Sequence, residues 1–310
     1  MRKFVFGPVP SRRLGFSLGV DIIPRKYCNF DCIYCQVGKT TEKNVARKAF
    51  LEEKEVVNEV IAAVHAADKV DFVTFSGSGE PTLNRNLGTM IREIKNSIDT
   101  PIAVITNSTL LSFEEVRDDL MDADVVLPSL DAASEQMFQC INRPQPGINL
   151  IEIIDGIKVF RKCYRGLIWL EIMLIKGMND SSEDLRKMRD ILYDLNVDKI
   201  HLNTVTRPPC ESITDRMERE ELEQIRSFFG DKCEVISPFE KDGSIHKHYE
   251  DWVETLLDIL KRRALTLRDI VAITGVKSSV IKKTLRSMQK KGLIKDYYSG
   301  TEVYYITAGS

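Results

Sequence analysis

The chain has 310 residues, 43% hydrophobic and 29% charged, with a formal net charge of −2. This is ample material for a buried core, and it excludes a disordered, collagen-like or low-complexity chain. The near-neutral total gives no overall reason for a nucleic-acid partner, and seven scattered cysteines, an odd number, do not suit a disulfide scaffold.

The N-terminal stretch Phe4-Val5-Phe6 is too short for a signal-peptide core, and no run of 18 apolar residues follows anywhere. The expectation is therefore a cytoplasmic protein with no membrane partner and reduced thiols. From Phe16 to about Val235, β-branched apolar runs alternate with amphipathic stretches. The strand-like runs are Ser17–Ile23, Asp71–Phe75, Ile102–Thr106, Val125–Leu127, Ile168–Ile175 and Lys199–Val205. The helix-like stretches include Glu52–His65, Asn84–Asn96, Leu150–Cys163 and Ser182–Leu195. The last opens on Ser181-Ser182-Glu183-Asp184, hydroxyl caps followed by acids.

Such alternation implies βαβ units and a parallel sheet, either a partial or full (β/α) barrel or an open doubly wound sheet. In both, sites form at the C-terminal ends of the strands. Polar and special-backbone residues gather at those ends: Cys28 to Cys35, Ser76 to Pro81, Thr106-Asn107-Ser108, Ser129 to Asp131, and Thr206 to Glu211.

The last 60 residues change character. Between Lys261 and Lys295 stand eleven Lys or Arg and one acid, Asp269, so the near-zero total hides an acidic body and a basic segment. A helix over Tyr249–Arg262, a second from Leu265, a turn at Thr274-Gly275-Val276 and a basic amphipathic helix over Ser278–Lys291 are expected. Val280, Ile281, Leu285 and Met288 form the apolar face of that last helix. A hairpin over Leu293–Ile306 ends the series. This is the order of a winged helix-turn-helix. The fold expected is a partial (β/α)6 TIM-like barrel over residues 1–245, followed by a winged-helix domain over 246–310.

Cys28-Asn29-Phe30-Asp31-Cys32-Ile33-Tyr34-Cys35 is a C-x3-C-x2-C loop. Soft thiolates at this density chelate one metal centre. Structural zinc needs four protein ligands, and no fourth Cys or His stands nearby, His65 being the nearest. Three ligands on an iron–sulfur cube leave one iron open to an external ligand.

The C-x3-C-x-aromatic-C pattern, with Tyr34 as the aromatic, resembles the radical SAM superfamily. Ser78-Gly79-Glu80-Pro81 one βα unit later resembles that family's G-G-E-P motif, with Ser78 in place of the first glycine. The resemblance implies a [4Fe-4S] cluster held by Cys28, Cys32 and Cys35, whose open iron takes the amino and carboxylate groups of S-adenosylmethionine (SAM). It implies one-electron cleavage of the sulfonium to a 5′-deoxyadenosyl radical that abstracts hydrogen from a substrate. A low-potential donor, ferredoxin or flavodoxin, is the implied electron source. Tyr34 packs near the cofactor, and Ser78, Gly79, Glu80 and Pro81 position the methionine end, with Glu80 able to accept from the amine. Asn107 matches a methionine-carboxylate or ribose contact, and Ser129 and Asp131 are placed like the family's ribose contacts. Glu171 and Asn203 are further candidates facing inward from later strands. The leader Gly7–Gly15 and Arg207-Pro208-Pro209 resemble a microbial group of iron–sulfur oxidoreductases related to wyosine-type tRNA-modifying enzymes. Those synthases use a second cluster with its own N-terminal cysteines, and this chain has none before Cys28.

Of the other thiols, Cys140, Cys163 and Cys233 read as incidental. Cys210 follows Arg207-Pro208-Pro209 on the expected active face and is a candidate hydrogen donor or substrate contact, with Arg207 and Glu211 as candidates to grip a charged substrate. Arg12 and Arg13 either contact an anionic substrate or cover the barrel bottom. His246 and His248 read as an exposed helix start without a metal role. The basic helix suggests nucleic acid, tRNA first, as the substrate it delivers. The alternatives are a peptide or small metabolite with the winged helix docking protein, and an iron–sulfur redox sensor gating DNA binding. A sensor has no need of the Ser78–Pro81 motif.

Overall fold

The computed structural model describes residues 2–40, 43–211, 214–236, 252–299 and 302–308. Strands β1 (Val5–Ser11) and β2 (Gly15–Val20) pair antiparallel through a tight turn. The chain then alternates helix and strand: α1 (Glu53–Ala66), β3 (Phe72–Phe75), α2 (Leu87–Lys95), β4 (Ile102–Thr106), α3 (Glu114–Asp119), β5 (Val125–Pro128), α4 (Glu135–Ile141), α5 (Leu150–Cys163), β6 (Leu167–Leu174), α6 (Ser182–Leu195), β7 (Lys199–Thr204), α7 (Arg219–Phe229) and β8 (Cys233–Val235). All eight strands form one sheet in chain order, and every pairing from β2 to β8 is parallel.

The six expected strands are β2 to β7. The first part of the expected leader Gly7–Gly15 lies instead in edge strand β1 (Val5–Ser11). Gly7, Pro8 and Pro10 lower its strand propensity, but prolines are tolerated at a sheet edge, and Val5 to Pro10 are buried. The sheet curls. Arg13, in the turn before β2, forms an ion pair with Glu171 on β6, and Leu14 packs with Ala103, Val125 and Leu127 of β4 and β5. The Arg13–Glu171 contact, across the three strands that stand between β2 and β6, requires a barrel-like curvature. The helices cover the outer face, with Val56, Ile91, Ile157 and Leu192 in the principal core. Ser181 caps α6 as expected, its hydroxyl accepting from the Asp184 amide at 3.1 Å.

Past the core lie α8 (Trp252–Leu260), β9 (Leu265–Thr266), α9 (Leu267–Thr274), α10 (Ser278–Lys290), β10 (Ile294–Ser299) and β11 (Glu302–Thr307). Their three strands form a separate antiparallel sheet in the order β10-β11-β9. Gly275, at φ 65°, ends α9 in a left-handed conformation that glycine adopts without strain. Ile281, Leu285 and Met288 of α10 are buried, each contributing roughly 1.5–3 kcal/mol. Val280, expected on that face, is 48% exposed. It lies about 100° round the helix from Ile281, outside the i, i+4, i+7 stripe. This unit has a core of its own, yet that core includes Phe6 and Val9 of β1. The expected 245/246 boundary, His246 and His248 fall outside the described residues.

Candidate functional site

The loop after β2 carries the three cysteines and is fixed from three directions. The Ile33 amide donates to the carbonyl of Ile141 at the end of α4 (3.0 Å), the Glu211 amide to the Ile33 carbonyl (3.0 Å), and the Glu80 amide to the Tyr27 carbonyl (3.2 Å). Each sulfur faces a donor. Lys26 Nζ lies 3.0 Å from Cys35 Sγ, Asn142 Nδ2 3.5 Å from Cys32 Sγ, and Asn107 Nδ2 3.7 Å from Cys28 Sγ, with the Phe30 amide also 3.5 Å from Cys28. As free thiols, Cys28 and Cys32 are hard to ionise: burial pushes Cys28 up to about 12 and raises Cys32 well above the usual range. Burial opposes the charge on Lys26, and the Cys35 sulfur more than offsets it, so the ammonium is held above its ordinary range.

The loop after β3 is moulded to the cysteine loop. A Cβ on Gly79 would lie 2.0 Å from the Tyr27 carbonyl oxygen, so only glycine permits this approach. Ser78 donates to the Asp21 carboxylate from its amide (3.1 Å) and hydroxyl (2.6 Å). Glu80 is buried and accepts from the Thr82 amide and hydroxyl, the Thr106 hydroxyl and the Asn107 amide, at 2.6–3.1 Å. Its carboxylate thus locks the β3 and β4 ends together. Burial raises its pKa, and these four bonds oppose the rise. Pro81 opens a single 3-10 turn (Pro81–Leu83) with Glu80 as its cap.

Asn107 bridges the two loops, donating to Asn29 Oδ1 at 2.6 Å while its own Oδ1 accepts from the Thr109 hydroxyl at 2.7 Å. Asp131 is buried and accepts from Tyr34 (2.5 Å), Asn142 (2.7 Å) and the Met173 amide (2.9 Å). It ties the cysteine loop to α4 and β6, and burial raises its pKa against those bonds. Burial, with Asp131 alongside, keeps the Tyr34 phenol protonated well above its usual range. Ser129 ends β5, where its amide donates to the Thr106 carbonyl. Asn203 donates to Glu171 at 3.0 Å, and Arg13 pairs with the same carboxylate. Among the described residues, no hydrogen bond or ion pair joins Ser129, Glu171 or Asn203 to the Cys28–Cys35 loop.

The residues after β7 fold over the cysteine loop. Arg207 donates to Gln36 Oε1 at 3.2 Å, and Glu211 is held by Arg143 (3.0 Å) and Lys39 (3.1 Å), the Arg143 contact drawing its pKa down. Cys210 faces Cys35 and Asp31, and its thiol is raised first by burial and then by those neighbours. Cys140 and Cys163 are exposed and Cys233 is buried.

Three contributors carried no sequence signal strong enough to select them. Asn142 reaches Cys32 across 110 residues of chain. Lys26 has only its proximity to Cys28. Asp21 does sit at a strand C-terminus, the rule that selected the others.

The sequence pattern of the Radical SAM superfamily matches residues 22–189, more than half the chain. The chain belongs to the radical SAM superfamily. A UPF0026 protein of Methanocaldococcus jannaschii is 33% identical over 309 residues, covering 97% of this radical SAM protein and 95% of the relative, so the chain is also a UPF0026 protein. A Brachyspira hyodysenteriae protein named GTPase Obg is 34% identical over 296 residues, 95% of this chain, but the chain spans only 44% of that protein's length. A radical SAM methyltransferase from Sphaerobacter thermophilus has the same fold at a TM-score of 0.54 and 20% identity, over 71% of this chain and 65% of the other. The protein is a radical SAM enzyme whose cofactors are a [4Fe-4S] cluster and SAM. The donor set suits such a cluster: three thiols on one loop, each sulfur met by an amide or ammonium hydrogen that balances thiolate charge. Among the described residues, no helix is long and apolar enough to cross a membrane.

Proposed function

We propose that Cys28, Cys32 and Cys35 hold the cluster and that the protein begins radical chemistry on a nucleic-acid substrate, with tRNA as the first candidate. When bound and reduced, the cluster supplies one electron that splits SAM into methionine and a 5′-deoxyadenosyl radical, which takes a hydrogen atom from the substrate. Ferredoxin or flavodoxin is the proposed electron donor. The carrying observation is the cysteine loop itself, with Lys26, Asn107 and Asn142 each aimed at a different sulfur. Gly79 and Ser78 shape the wall beside it, and Glu80 and Asp131 hold that wall rigid by internal bonds. On this reading their contribution is preorganisation, and backbone groups of the β3 loop are left to meet the methionine end.

The C-terminal unit is proposed to act as a winged helix. Lys282, Lys283, Arg286 and Lys290 are exposed along α10 away from the buried Ile281, Leu285 and Met288, and Lys277 and Lys291 are exposed at its two ends. A cationic face of this kind neutralises phosphates. The test is tRNA binding followed by fluorescence anisotropy across a salt series. The Lys282→Gln/Lys283→Gln/Arg286→Gln variant should bind more weakly and with a shallower salt slope. Unchanged affinity and slope would remove α10 from the interface.

A further inference from the structure

The barrel interior opens into a cavity of about 240 Å³ whose wall carries Arg12, Arg13, Arg207, Arg262 and Arg263. Two of these have carboxylate partners. Arg13 pairs with Glu171, and Arg262 with Asp21 and Asp258. The other three have none within 4.0 Å among the described residues. Among the described residues, Arg207 meets only the neutral amide of Gln36, Arg263 donates to the Pro10 carbonyl at 2.6 Å and leaves its buried Nε unpartnered, and Arg12 makes neither a hydrogen bond nor an ion pair. The nearby acid Asp269 is spent on capping α9, accepting from the Thr266 amide and hydroxyl at 3.0 Å each.

Gathering like charges in a half-buried cavity is unfavourable without a counter-anion. The strain is visible in the groups themselves: burial and then repulsion from Arg207 bring Arg12 down to about 10, and burial with Arg12 and Arg207 alongside brings Arg13 to about 9. Both still carry their charge at neutral pH. Among the described residues, Asp269 and Glu302 attract Arg12 only from beyond ion-pair distance and none supplies a paired anion, which leaves that place to a ligand.

We propose that this cavity is an anion site that seats a phosphate group of the substrate. Three uncompensated guanidiniums exceed what one carboxylate neutralises and suit the multiple charges of a phosphomonoester or diphosphate, which guanidinium forks bind in bidentate fashion. The wall also includes Ser76, Gly77 and Gly79 of the β3 loop, so the seated phosphate lies next to the proposed SAM site. Arg262 and Arg263 come from the C-terminal unit, so the site is complete only when that unit is docked on β1. The substrate role rests on the proposed radical chemistry, whereas the anion site itself does not. The phosphate source is either a nucleotide end of RNA or a free phosphorylated metabolite.

The test is isothermal titration calorimetry of full-length protein with inorganic pyrophosphate at fixed ionic strength, and with tricarballylate as a carboxylate control. Pyrophosphate should bind, tricarballylate at least tenfold more weakly. Arg12→Gln and Arg263→Gln should each weaken pyrophosphate at least tenfold, and Arg12→Lys less. Lys162→Gln, at the exposed end of α5, should leave it unchanged. In phosphate-free buffer Arg12→Gln should melt at or above the wild-type temperature, because a repulsive charge is gone, while pyrophosphate should raise the melting temperature of the wild type only. Adenosine monophosphate and a 5′-phosphorylated RNA oligonucleotide compete for bound pyrophosphate, and whichever displaces it identifies the source; displacement by neither overturns the substrate role. No heat at millimolar pyrophosphate, equal affinity for tricarballylate, or wild-type affinity in a folded Arg12→Gln protein overturns the site. Failure here with SAM cleavage intact would leave the radical reading standing.

Discussion

Gly79→Ala is a severe test of how the two loops meet. The added Cβ would sit 2.0 Å from the Tyr27 carbonyl oxygen and 2.5 Å from Ile23 Cγ2. Ordinary contact begins at 3.4 Å, so the loops must part by more than 1 Å, and the nearest atom is backbone that no rotamer change can move aside. Overpacking of this kind costs about 1–3 kcal/mol. The parting also breaks the Glu80–Tyr27 backbone bond, worth about 0.5–1.5 kcal/mol. Together they predict a loss of about 2–4 kcal/mol, seen as a lower urea midpoint at unchanged slope. Because Tyr27 adjoins Cys28, the reconstituted variant should also bind SAM at least tenfold more weakly. A variant with the wild-type midpoint and wild-type SAM affinity would refute the claim that this contact shapes the site.

Other perturbations probe the same arrangement. Arg262→Ala removes the ion-pair partner of Asp21, whose side chain is only 7% exposed, and leaves its charge to the two Ser78 bonds, so stability should fall by about 3 kcal/mol and SAM binding should weaken through Ser78; a double-mutant cycle with Asp21→Asn showing no coupling would sink this link. Asp131→Asn disturbs the Tyr34, Asn142 and Met173 contacts together and should lower the iron retained after gel filtration, whereas full retention would deny Asp131 a role in holding the loop. His201 is buried with Nδ1 unpartnered and its pKa is drawn down to about 3 by burial. Its neutral form therefore contributes stability that is present above pH 6.5 and lost as pH falls toward 3. His201→Gln should flatten that acid limb in urea titrations, and an unchanged limb would show that His201 does not set it.

The parts of the fold written in hydrophobic period were legible in the sequence. Strands β2 and β5 are buried along their whole length, the expected runs coincide with β2 to β7, and α5 and α6 have side-chain caps and apolar stripes. Edge strand β1 was not legible, because its glycine and prolines mimic a leader and its burial depends on the C-terminal unit. In the site, the cysteine spacing and the Ser78–Pro81 motif are local patterns, and local patterns survive reading along the chain. Glu80 and Asp131 were selected for the right place, but their partners, four donors on Glu80 and three on Asp131, are set by tertiary packing. Asn142 at Cys32 and Arg262 at Asp21 join distant segments, and no spacing rule reaches so far.

The central claim is that Cys28, Cys32 and Cys35 hold the cluster that cleaves SAM. Anaerobically reconstituted protein, given SAM and dithionite, should yield 5′-deoxyadenosine by liquid chromatography, and Cys32→Ala protein should yield none. No 5′-deoxyadenosine from the wild type, or equal amounts from Cys32→Ala, would contradict the account.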